Sequence, residues 1–166
     1  MTASQAGNAD YNAAPNVART FSVLNSRFGS ADGDGLQPSN GGEAEFHVDA
    51  DPPGHGHGPA GKLVYDGPRP PKPGKGRQAP PALHFESREI TSFGIADDGN
   101  SAWFAGVGKD GRSFLVYIED NNRRHHSRRD PDVFQLWIDG VAQTGDGSLD
   151  SGSVDIELPF FHFWWD

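Results

Sequence analysis

Cysteine is absent from this chain. That excludes a disulfide framework, a thiolate metal site and a cysteine nucleophile. Long apolar runs are absent as well: no stretch approaches the roughly 20 residues a membrane-spanning helix needs. The opening segment, "MTASQAGNADYNAAPNVART", lacks the basic end and apolar run of an ordinary signal peptide. Positive charge runs out part-way: after Arg129 there is no Lys or Arg, while eight Asp or Glu follow. The net charge of −9 disfavours nucleic acid as a partner. Catalytic signatures are missing too. There is no G-x-S-x-G elbow, no H-E-x-x-H and no phosphate-binding Gly-rich loop. Carboxylate pairs can always be chosen from 23 acids, so a hydrolase has no specific support and the expectation is a protein that is not an enzyme.

Gly (22 residues) and Pro (13) are plentiful, and together they make up about a fifth of the 166 residues. That is too much for a helical protein and too irregular for collagen. Short stretches of alternating character lie between them. "EAEFHVDAD" (43–51) sets Ala44, Phe46 and Val48 against Glu45, His47 and Asp49. "TFSVLNSRF" (20–28) and "KLVYD" (62–66) read as strands. "GSADGDGLQPSNGG" (29–42) reads as a loop. In "ALHFESREITSFGI" (82–95) the parity breaks at Ile90, which predicts a bulge near Arg88–Thr91. "ADDGN" and "KDG" are turns, and "SAWFAGVG" (101–108) lies between them. "RSFLVYIED" (112–120) turns Phe114, Val116 and Ile118 to one side. "DVFQLWIDG" (132–140) does the same with Phe134, Leu136 and Ile138, leaving Val133, Gln135 and Trp137 opposite. "SVDIELPF" (153–160) alternates Val154, Ile156 and Leu158 with acids. The expectation is an all-β fold, an antiparallel β-sandwich of about eight or nine strands with long Gly/Pro-rich loops, a closed barrel being the alternative. Domain organisation follows: a flexible N-terminal arm at 1–19, the β domain at 20–158 and an aromatic tail at 159–166.

The order of these pieces carries a resemblance. "GEAEFHVDA", "GKLVY", "LHFESREITSFGI", "NSAWFAGVG", "GRSFLVYIEDN", "DVFQLWIDG" and "GSLDSGSVDI" succeed one another as in the post-COAP domain of secreted and surface-anchored bacterial proteins, which residues 42–156 resemble. The resemblance implies an all-β extracellular or cell-surface domain with no established activity and no catalytic residues to carry over. The loops at 52–60, 67–81 and 121–131 are longer than that pattern, and "ELPFFHFWWD" lies beyond it.

Several clusters invite chemistry. "RRHHSRR" (123–129) packs four Arg and two His into seven residues: either a solvated loop or a patch that docks on the acidic C-terminal third. "GPRPPKPGKGRQAPP" (67–81) has six Pro and no large hydrophobe, which predicts an exposed extended loop. His55 and His57 sit among glycines, which hold a metal poorly. Calcium is the better cofactor expectation. Glu119, Asp120, Asp130 and Asp132 lie at the two ends of one inter-strand connection, and a hairpin would bring them together. Trp137 opposes the core parity of its strand, as Trp103 does in its own. Either could stack on a sugar ring or pack beneath a loop.

The tail "PFFHFWWD" cannot be half-buried, because both parities are aromatic: Phe161, Phe163 and Trp165 against Phe160 and Trp164, with His162 between. It docks either within its own chain or on a neighbouring one. With Trp137, these aromatics are the candidate partner-binding residues. The expected partner is another copy of the chain, as an oligomer or fibre, or a surface glycan or protein, without insertion into a membrane.

Overall fold

A computed structural model describes residues 2–5, 14–18, 29–39, 42–54, 57–69, 82–121 and 130–158. Its strands are β1 (Thr2–Gln5), β2 (Ala14–Ala18), β3 (Ser30–Ser39), β4 (Gly42–Asp51), β5 (Ala60–Arg69), β6 (His84–Ile95), β7 (Ser101–Gly108), β8 (Ser113–Glu119), β9 (Val133–Ile138), β10 (Val141–Ala142) and β11 (Ser151–Glu157). The fold is all-β and antiparallel, with no helix among the described residues. β1 and β2 pair with each other as a separate two-stranded sheet, within the stretch read as an arm. The other nine strands form one sheet in the order β10-β9-β8-β7-β6-β5-β4-β3-β11. The two separate sheets of a sandwich are not shown; the nine strands are linked in one order through β6.

β6 is where the sheet bends. His84–Glu86 pair with β5, while Ser87–Ile95 pair with β7. The register slips between Ser87 and Glu89 and again between Ile90 and Ser92, which is the bulge that the broken parity at Ile90 predicts. Bulges raise local twist, so one long strand serves both halves of the sheet. The result is visible in the core. β4 and β9 lie five places apart, roughly 24 Å in a flat sheet. Yet Phe46 and Phe134 stack with centroids 4.0 Å apart and planes 5° from parallel. The sheet is folded over so that its apolar face covers itself. Phe85, Phe104 and Phe114 continue the core with edge-to-face contacts at 5.7 and 6.2 Å.

The segment "GSADGDGLQPSNGG" is not the loop its composition predicts. Ser30–Ser39 is a strand, β3, between β4 and β11. Its glycines suit close approach by the neighbouring backbone. A methyl group at Gly33 would lie 2.7 Å from the Ser153 carbonyl oxygen, and one at Gly35 would lie 2.6 Å from that of Ser151. Strand 62–66 likewise extends to Ala60–Arg69. The expected strand at 20–28 lies outside the described residues. Val154 and Ile156 are buried as expected, but Leu158 is 40% exposed rather than in the core.

Candidate binding face

Because β7, β8 and β9 bury Phe104, Phe114, Val116, Ile118, Phe134, Leu136 and their like, the intervening residues must face outward. Register then fixes who stands beside whom. Trp103 pairs with Tyr117, which pairs with Gln135. One row along, Ala105 pairs with Leu115, Leu115 with Trp137, and Trp137 with Ala142. Trp103, Tyr117 and Trp137 are half-buried and Leu115 is 42% exposed. Two strands and two residues separate the tryptophans, roughly 12 Å between backbones. Tyr117 Oη donates to Glu119 Oε2 at 3.3 Å. Burial raises the Tyr117 phenol above its ordinary value, and Glu119 and Asp98 add to this against a hydrogen bond from Ser101. Glu119 is the only charged residue at the outward positions of these three strands.

The outer face of the other half is opposite in character. Asp155, Asp32 and Asp49 stand in one row across β11, β3 and β4, with Lys62 of β5 at the end. Like charges placed directly across a ladder repel. Burial, then Asp155, Glu157 and Asp49, push the Asp32 carboxyl above the usual aspartate range, with His47 pulling the other way. The next rows hold Asp34 beside His47 and Glu45 beside Asp66. A depression of about 500 Å³ opens here, lined among others by Asp34, Glu45, His47, Asp66 and Ser151. His84 Nδ1 lies 2.6 Å from Asp66 Oδ1 at its margin. Glu86 is held below the usual carboxylate range, first by its hydrogen bond from Lys109 at 2.7 Å and also by Lys62 at 3.5 Å.

No family model, curated protein or solved structure matches this chain. The site must therefore be judged by its own geometry.

The four residues expected to gather around calcium are partly brought together. β8 and β9 do pair as a hairpin, with Glu119 opposite Val133, so Asp120 and Asp132 flank the same connection. Asp132, however, is committed elsewhere. It is 3% exposed, its Oδ1 accepts the Asn121 N–H at 2.9 Å, and its Oδ2 accepts the Val154 N–H at 3.0 Å. Its own carbonyl accepts from Leu149 at 3.0 Å. Asp132 thus ties β11 to the connection between β8 and β9. Asp120 is also buried, and its N–H donates to the Asn100 carbonyl at 2.8 Å. Glu119 is half-buried and engaged with Tyr117, and Asp130 is exposed. Among the described residues no group of three or more His, Asp or Glu is arranged to hold a metal ion.

Of the expected partner-binding residues, Trp137 lies on the outer aromatic face. Phe160, Phe161, Phe163, Trp164 and Trp165 lie outside the described residues, as do His55 and the Arg/His run at 123–129. Two features escaped the sequence reading. The acidic ladder depends on β3, whose glycines read as a loop. The role of Asp132 depends on β11 returning to the start of β9, which no local pattern announces. Among the described residues no helix is long and apolar enough to cross a membrane.

Proposed function

We propose that this chain is a non-catalytic β-module that makes structural contacts and associates with copies of itself, at a bacterial surface or outside the cell. The resemblance of residues 42–156 to the post-COAP domain supports that setting. The observation that carries the reading is the division of the outer surface. One half is lined with carboxylates, while β7, β8 and β9 present Trp103, Tyr117, Leu115 and Trp137 with a single charge among their outward positions. A contiguous outward apolar patch on an otherwise polar protein marks a contact site. Copies carrying a net charge of −9 repel over most of their surface and approach most easily where charge is sparse.

Light-scattering mass of the full chain over a range of concentrations tests this. The reading expects mass that grows with concentration and falls toward the monomer in Trp137→Ala. A monomer at every concentration would refute it. A glycan is the second reading, favoured by two tryptophans and a tyrosine on one sheet face. It expects glycan binding that Trp137→Ala abolishes without lowering the melting temperature.

A further inference from the structure

We infer that the outer aromatic face of β7, β8 and β9 receives residues 159–166 of a second copy of this chain. The inference rests on the self-association proposed above and names the segment that associates. Three observations lead to it. First, Trp103, Tyr117, Leu115 and Trp137 are neighbours in register, so they form one continuous apolar strip rather than scattered exposed residues. Second, Leu158, the residue that precedes this segment, lies beside the turn between β6 and β7. A methyl group at Gly99 of that turn would meet Leu158 Cδ1 at 2.6 Å. The segment is therefore tethered at an end of the sheet. Eight residues beyond it reach roughly 26 Å when extended, enough to project onto another molecule. Third, the sequence of that segment is aromatic on both parities, with Phe161, Phe163 and Trp165 on one and Phe160 and Trp164 on the other. In extended form one sheet face covers only one of these sets. A segment held between two copies can bury both, and that favours a second copy over its own.

Charge agrees with this choice of surface. Residues 159–166 hold one acidic side chain, Asp166, and no Lys or Arg. They gain nothing from the acidic rows of β11, β3 and β4, and they meet little repulsion on β7–β9, where Glu119 is the sole outward charge. Each copy then both offers a segment and presents a face. Such head-to-tail contacts propagate into fibres or close into rings.

The absence of cysteine makes a clean test possible. Leu115→Cys and Phe163→Cys are made singly in the full chain; Leu115 is 42% exposed, so its replacement leaves the core untouched. The two variants are mixed, oxidised and weighed alongside each one alone. The expected result is a disulfide-linked dimer containing one of each, at twice the monomer mass. A double variant that closes its disulfide within one chain, at dilution, would overturn the inference by assigning the face to the chain's own segment. Association without the mixed disulfide would overturn it too, while leaving the self-association reading intact. Monomers throughout, by light scattering of the unmodified chain, would sink both.

Discussion

Replacing Asp132 by Ala should be among the most damaging single changes available outside the apolar core. The carboxylate accepts the backbone N–H of Val154 at 3.0 Å and that of Asn121 at 2.9 Å. Val154 is 3% exposed, so its N–H loses its partner with little access to water. An orphaned buried donor costs about 1–3 kcal/mol. Asn121 is only half-buried and can recover a water, so about 1 kcal/mol is a fair figure for its share. Together the loss is about 3 kcal/mol. For a chain of this length that corresponds to a fall of about 9 °C in melting temperature. In urea, at a slope of about 2 kcal/mol per M, the midpoint should drop by about 1.5 M. Asp132→Asn should lose nearly as much, because an amide offers one acceptor oxygen and turns an N–H toward the second donor. Hydrogen exchange supplies a local check: the Val154 amide should lose more protection in either variant than the amides of β7 do. A loss below about 1 kcal/mol in both variants would show that the bonds to Asp132 do not hold β11, and the reasoning would fail.

Other perturbations probe different links. Phe134→Ala removes the ring stacked on Phe46 and its contact with Tyr65 at 6.2 Å, and should cost about 3–5 kcal/mol in chemical denaturation; a smaller cost would mean the fold-over of the sheet does not depend on that stack. Ser87→Ala withdraws the hydroxyl that accepts the buried Leu63 N–H at 2.8 Å beside the bulge, with an expected loss of about 1–2 kcal/mol that a Ser87→Thr variant should partly spare. Asp32→Asn should stabilise. Its carboxyl is pushed up in the fold by burial and by Asp155, Glu157 and Asp49, so the folded state binds its proton more tightly than the unfolded state does. The resulting penalty is fully present above the raised pKa and vanishes below the ordinary value of about 3.9. The gain in melting temperature over the unmodified chain should therefore be largest at neutral pH and shrink toward zero near about pH 4. A lower melting temperature at neutral pH would contradict the repulsive ladder. Glu86→Gln should behave in the opposite sense. Its carboxyl is depressed by Lys109 and Lys62, so its contribution exists above the unfolded carboxylate value and fades as pH falls through the depressed one. The stability difference from the unmodified chain should thus close on acidification.

Much of the strand content was legible because alternation is a local signal. In β4, β8 and β9 every inward residue named from parity is buried: Ala44, Phe46 and Val48, then Phe114, Val116 and Ile118, then Phe134, Leu136 and Ile138. The bulge in β6 was legible for the same reason, since an extra residue shifts parity at one definable place. β3 was not. Its glycines carry no side chains to alternate, and their advantage appears only when β11 lies alongside. The outward position of Trp103 and Trp137 could be read from their own strands. That they belong to one strip with Tyr117 and Leu115 required the register of three strands. The proposed calcium ligands show the limit most clearly: the hairpin that juxtaposes Asp120 and Asp132 was foreseeable, but the donors that occupy Asp132 come from Asn121 and from Val154, more than twenty residues away.

By itself, then, the chain's sequence determined that the protein is built of strands, which residues of most strands turn inward, and where one strand must bulge. Each of these depends on side chains a few residues apart. The tertiary structure alone decided that nine strands join in one sheet, that this sheet folds over until Phe46 meets Phe134, and that Asp132 is spent as a cap. It also separated an acidic outer half from an aromatic one. These are consequences of strand order and register, set by which distant segments bury the most apolar surface together, and no short-range pattern encodes them.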